Sequence, residues 1–302
     1  MARSALILAR YKLATDNRAL SLREQIDLLA VLKDAQPISY RTSEPTDENR
    51  DTYVIGPKSG TRYGENYLTW QVCRDISYRQ VRRPDRKSQT VEVDFENTDD
   101  CELARIVAIP RLGVLAVEDG TGEGQLGGWP ALRRFAAIVD EHSLAEFEAE
   151  PAGTPQDLKK AIDTWDLEKF SFQARPFNPH PSNPGQILSD MLQADGVGEL
   201  RAIAITREGA NIKPKEDGIV QEAIGLADKG YATYGMTGRT PSGAEAIVKK
   251  PPFSHNRNKN MESLRGPQQL RVYIEADKED ARIAKIVDVL VEFFEPETKI
   301  KG

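Results

Sequence analysis

Apolar positions along this chain repeat with two periods, and the period assigns each stretch to helix or strand. Residues 2–13 (ARSALILARYKL) read as a strand. In 20–34, Leu22, Ile26 and Leu29 recur at helical spacing behind Ser21, and Glu24 completes a capping-box signature, so a helix is predicted. The polar stretch 42–51 reads as a loop. TYVIG (52–56) and NYLTWQVCR (66–74) read as a hairpin joined by the turn-rich connector 57–65. LARIVAI (103–109) and GVLAVED (113–119) form a second hairpin around Pro110, Arg111 and Leu112. A helix is predicted over 129–150, with Pro130 in its first turn and Leu132, Phe135 and Val139 on one face.

EPAGTP (150–155) reads as a linker, and Thr154 as the N-cap of a short helix. Beyond it lie a strand at 168–177 and a helix at 185–196, with Pro184 at its first position and Gly196 past its end. A strand at 199–207 follows, and the pattern suggests one short parallel unit over 169–207. The helix at 216–230 would turn Ile219, Ala223 and Ile224 inward and stop at Gly230. A hairpin, 231–238 with 243–250, precedes a strand at 268–276. The last helix, 277–295, is capped by Asp277 and carries an apolar stripe of Ile283, Ile286, Val287, Leu290 and Phe294. The order predicts an α+β fold with two domains. Residues 1–153 form a strand-rich half closed by a helix, and residues 154–302 a β-α-β-α-β-β-β-α half.

Composition narrows the class. The 302 residues are 39% hydrophobic and 29% charged, which suits a globular chain with a sizeable core. No stretch approaches ~20 apolar residues, so no spanning helix is expected. Cys73 and Cys101 are the only cysteines, too few for a disulfide framework or a four-cysteine zinc site. A soluble, reducing, cytoplasmic protein is the expectation.

Motifs that carry chemistry are sparse. GEGQLG at 122–127 fits G-x-G-x-x-G between a strand and a helix. However, Glu118, Asp119 and Glu123 would repel phosphate there, the preceding strand belongs to a hairpin, and no acidic strand end follows at the required distance. A loop with turn glycines is the simpler reading. His142, His180 and His255 are scattered without metal-ligand spacing. Gly-x-Ser-x-Gly is absent, and Cys101 lies beside aspartates that disfavour a thiolate. No catalytic residue, metal or cofactor is expected.

Charge is the stronger signal. The net charge is −6, yet basic residues cluster. KKPPFSHNRNKNMESLR (249–265) contains Lys249, Lys250, Arg257, Lys259 and Arg265, with Phe253 and His255 available to stack on bases. Segment 74–87 contains Arg74, Arg79, Arg82, Arg83, Arg86 and Lys87, and VEVDFENTDDCE (91–102) is its acidic mirror. Lys213 and Lys215 flank Pro214, and Arg239 tips a hairpin. Such cations bind phosphate by charge and counterion release, without reading sequence. The alternative is that these are solvated loops.

The hairpin LARIVAIPRLGVLAVEDG with the helix WPALRRFAAIVDEH, followed by EKFSFQARPFNPHP, GQILSDML and ELRAIAITREGANIKPK, resembles RexA-like phage-exclusion proteins and related anti-phage defence proteins of prokaryotes. The resemblance spans 100–302 as an order of elements; Ile205-Thr206-Arg207 and Lys213-Pro214-Lys215 are its closest local likenesses. It implies a dimeric, two-domain DNA-binding protein acting as sensor or effector in abortive infection, with a membrane-protein or effector partner and no catalytic residues. Lys213 and Lys215 alone fall on a matching motif, and the acidic balance departs from the family.

Three functions follow. The first is a non-enzymatic, largely sequence-independent binder of double-stranded DNA in anti-phage defence, using Lys213, Lys215, Lys249, Lys250, Arg257, Lys259 and Arg265, with Arg82, Arg83, Arg86 and Lys87 as a second patch. The second is a protein–protein module in which 74–87 and 91–102 pair within or between chains. The third, and weakest, is a nucleotide-dependent enzyme using 122–127.

Overall fold

The computed structural model describes residues 2–16, 18–40, 50–76, 78–85, 90–97, 100–120, 124–176, 186–207, 210–215, 218–228, 230–250 and 270–295. The chain is mixed α and β, with largely antiparallel strand pairing and six helices among the described residues. It divides into two compact units: Ala9–Glu150, and Met1–Leu8 together with Pro151–Gly302. The first strand, β1 (Ala2–Thr15), gives its start to one unit and its remainder to the other.

In the unit Ala9–Glu150, β2 (Arg18–Ala19) folds back on the end of β1. Helix α1 (Leu22–Asp34) begins as its sequence predicts: Ser21 Oγ accepts from the Glu24 N–H, and the Glu24 carboxylate accepts from the Ser21 N–H at 2.7 Å. Strands β3 (Ile38–Tyr40), β4 (Arg50–Arg62) and β5 (Glu65–Asp75) pair antiparallel in that order. The connector 57–65 is mostly strand, not loop. A bulge between Ile55 and Lys58, with Gly56 at φ +58°, absorbs Pro57 and lets pairing resume. The turn shrinks to Tyr63 and Gly64, both at positive φ, as a two-residue hairpin requires.

Strands β6 (Tyr78–Asp85) and β7 (Thr90–Asn97) pair antiparallel with each other. The next two, β8 (Cys101–Ile109) and β9 (Val114–Glu118), are joined by a 3-10 turn closed by Gly113 at φ +61°. Helix α2 (Gly128–His142) ends eight residues before the predicted 150. The Ser143 hydroxyl donates to the Val139 carbonyl and accepts from the Ala145 N–H, which turns the chain out of the helix. Residues Glu146–Pro151 then alternate as strand β10. Phe135 of α2 packs tilted against Trp70 of β5, 4.9 Å between ring centroids, and edge-to-face against Phe147 of β10 at 4.8 Å, in a core that α1 and α2 cover.

In the other unit, α3 (Pro155–Thr164) starts at a Thr154–Asp157 capping box. It is followed by β11 (Asp166–Ala174), α4 (Gln186–Ala194), β12 (Leu200–Ile205), α5 (Ile219–Asp228), β13 (Ala232–Arg239), β14 (Glu245–Lys250), β15 (Leu270–Ala276) and α6 (Glu279–Phe294). The strand order is β12-β11-β13-β14-β15-β1, all antiparallel. The predicted parallel unit is therefore antiparallel: α4 connects β11 to a neighbour that runs the other way. Ile219 is outward, about half exposed; Glu222, Ala223, Gly225, Leu226 and Ala227 are the buried positions of α5. The N-cap of α6 is Lys278, not Asp277. Alternation puts Phe170, Phe172, Tyr234, Met236, Val248, Val272 and Ile274 on the buried side, where α5 and α6 pack. Trp165 and Phe293 meet there at 5.7 Å between ring centroids.

Candidate nucleic-acid interface

The opposite face of this second sheet carries no helix among the described residues. Strand register aligns its side chains in rows. One row runs Ile203, Ser171, Gly235, Lys249; the next runs Ile205, Lys169, Thr237, Ile247, Arg271. Arg201 lies in register with Gln173 and Thr233, and Arg239 with Glu245 and Tyr273. At the far edge, Arg3 stands opposite Glu275. The face thus holds Arg3, Lys169, Arg201, Arg239, Lys249 and Arg271 with Asp166, Glu168, Glu199, Glu245 and Glu275, a near balance in a chain of net charge −6.

Part of this charge is neutralised locally. Arg3 pairs with Glu245 at 2.6 Å and lies over the Tyr273 ring, Arg201 pairs with Glu199 at 2.8 Å, and Arg239 lies 3.6 Å from Glu168. Among the described residues, neither the Lys169 nor the Lys249 ammonium meets a carboxylate, and both side chains are exposed. Gly235 leaves the centre flat, and a shallow depression of about 380 Å³ opens there, lined by Ser171, Gln173, Arg201, Ile203 and Thr233.

The residues picked out by sequence are placed differently from one another. Lys249 is on this face. Lys250 follows it in β14, opposite Tyr234 in register. Arg257, Lys259 and Arg265 lie outside the described residues, as do Arg86 and Lys87. Arg82 and Arg83 stand in β6, where the paired strand is acidic: Arg83 is opposite Glu92 and Arg79 opposite Glu96. Just before this hairpin, Arg74 pairs with Glu102. The basic run and its acidic mirror are therefore strand partners within one chain.

Lys213 occupies the C-terminal end of α3. Its ammonium donates to the carbonyls of Asp163 at 2.8 Å, Trp165 at 3.0 Å and Ile162 at 3.4 Å. These are the acceptors that a helix leaves open at its end, where a cation is favoured. Lys215 is exposed, two residues on.

Gly122 and Glu123 of the G-x-G-x-x-G stretch lie outside the described residues, and the remainder is held by its neighbours. Leu103 donates to the Gly124 carbonyl at 3.2 Å and Leu126 donates to Leu103 at 3.0 Å. The N-terminus of α2, where a phosphate would sit, is taken by Asp119, whose Oδ1 accepts from the Gly128 N–H at 2.9 Å. His142 Nε2 lies 2.9 Å from the Gln36 carbonyl. Among the described residues no cluster of His, Cys, Asp or Glu could hold a metal, and no helix is long and apolar enough to cross a membrane. Cys73 is buried, and burial, with the neighbouring Cys101 and Asp75, pushes its thiol up to about 12.

Lys169, Arg201 and Arg271 are not legible as a site in the sequence because they are isolated in apolar strands, not clustered. The signal that carries them is strand alternation: Lys169, Ser171 and Gln173 share one parity, as do Arg201, Ile203 and Ile205. A scan against protein-family models finds no match for this chain, and a search of curated proteins finds no significant one.

Proposed function

We propose that this protein binds double-stranded DNA, largely without reading sequence, across the open face of the sheet β12-β11-β13-β14-β15-β1. The supporting observation is the pair of exposed lysines on that face, Lys169 and Lys249, which meet no carboxylate among the described residues of an acidic chain. Flexible ammonium groups on a flat surface suit phosphate contacts, which give affinity and salt dependence but no sequence code. Lys215 supplies a further cation, whereas Lys250 alternates with Lys249 to the other face of β14. The chain would act inside the cell as a non-enzymatic two-domain protein. A role in anti-phage defence, as sensor or effector with a separate partner, rests on the resemblance to phage-exclusion proteins.

Fluorescence anisotropy with random-sequence duplex DNA across a salt series tests this reading. Binding should weaken steeply with salt, and Lys169→Gln with Lys249→Gln should lower the log–log slope by about 2, near 0.9 for each lost contact. Absence of binding at low salt, or a slope unchanged in the double variant, overturns it.

A further inference from the structure

The outer edge of β12 has no strand partner among the described residues. Its pairing with β11 shows which backbone groups that edge presents. The Thr206 N–H donates inward to the Glu168 carbonyl at 2.9 Å, continuing the register Ile205↔Lys169. In an antiparallel ladder inward bonding recurs at every second residue, so Arg201, Ile203 and Ile205 direct their N–H and C=O groups outward. Ile203 and Ile205 are 65% and 73% exposed, large values for isoleucine on a strand. Edge strands in soluble proteins are normally blunted by lysine, proline, a bulge or a covering element. Residues Leu200–Ile205 contain no proline and a single charge, Arg201, which Glu199 pairs, and their pairing with β11 is regular.

We propose that β12 pairs antiparallel with β12 of a second copy of this chain, on a two-fold axis through Ile203. The sequence around the axis is self-complementary. With Ile203 opposite Ile203 of the second copy, the two would exchange both backbone hydrogen bonds, and Arg201 would lie beside Ile205. Glu199 would then stand opposite Arg207, once at each end. Opposite charges on a cross-strand pair stabilise it, and like charges directly opposed do the reverse. Moving the axis to Ala204 would oppose Arg201 to Arg207, so charge also selects the register. Glu199 is already held at this edge by Arg175 at 3.0 Å and Arg201 at 2.8 Å. A two-fold normal to the sheet keeps both open faces on one side and joins them into a single surface. The pairing does not depend on the DNA reading.

Analytical ultracentrifugation of the full chain over a concentration series tests it. The wild type should sediment at twice the 33.6 kDa chain mass and dissociate on dilution. Ile203→Lys puts two charges together on the axis and should leave monomer. Arg207→Glu should raise the dimer dissociation constant roughly tenfold, two end pairs being affected. Glu199→Arg added to Arg207→Glu should restore it. A monomeric wild type, a dimer indifferent to Ile203→Lys, or a charge swap that fails to rescue a folded Arg207→Glu variant overturns the proposal. Should Ile203→Lys not fold, the Arg207 series decides alone.

Discussion

The Lys213 ammonium donates to the Trp165 carbonyl at 3.0 Å, tying the segment before α5 to the end of α3. Trp165 is itself 1% exposed and packs against Phe293, so the exposed lysine closes a helix end at the margin of this core. One residue thus supplies donors to three carbonyls at the helix end, two of them partly buried.

Lys213→Met should therefore destabilise the fold by about 1–2 kcal/mol, as expected for a charged group hydrogen-bonded to a helix end. Urea unfolding reads the loss. DNA affinity of the folded variant should stay within about twofold of wild type, because these donors already have acceptors. A large affinity loss with unchanged stability would instead make Lys213 a phosphate contact.

Glu222 offers a second test. It is 8% exposed on α5, and its Oε2 accepts from the Leu188 N–H at 3.2 Å, capping α4 from another helix. Glu222→Ala removes that acceptor and should cost about 2 kcal/mol. Glu222→Gln keeps a carbonyl oxygen at the same place and should recover much of it. Equal losses for the two variants would mean that charge, not capping, is what matters.

Gly238 should tolerate no side chain. A Cβ there would run into the backbone of Asp166 and Leu167, where the β11–β13 register shifts. Backbone cannot move aside as a flexible side chain does, so Gly238→Ala should cost about 2–4 kcal/mol, in the range of core overpacking. Gly235→Ala, nearest the Ser171 hydroxyl at 3.3 Å, should cost much less. Thermal melts of both variants compare them directly.

Cys73 makes a pH-dependent case. Its folded thiol is raised from an ordinary value near 9 to about 12, mainly by burial. A thiol raised in this way contributes stability that is full below pH 9 and is lost as pH climbs from 9 towards 12. Native Cys73 should resist alkylation at pH 8 and react once guanidinium unfolds the chain. Rapid labelling of the native protein at Cys73, mapped by mass spectrometry, would contradict this burial.

Local signals in the chain were legible where a short-range rule decides the outcome. Ser21 with Glu24 and Thr154 with Asp157 start helices as read, and Gly196 and Gly230 take positive φ past helix ends. The reading failed where tertiary context overrode local pattern. Residues 143–150 look helical by composition, but Ser143 turns the chain and the following residues join the sheet as β10. Pro57 and two glycines suggest a loop at 57–65, but a bulge keeps the strand intact.

The candidate site divides the same way. The sequence by itself determined that cations cluster in an acidic chain, and that 74–87 has an acidic counterpart in 91–102. Only the tertiary structure decided that those two segments are strand partners, that Lys213 closes a helix, and that Lys169, Arg201 and Arg271 gather with Lys249 on one face. The reason is geometric. Charge along a chain is local information, whereas cross-strand register brings together residues as far apart as Lys169 and Arg271, and no periodicity within a single strand records its neighbours.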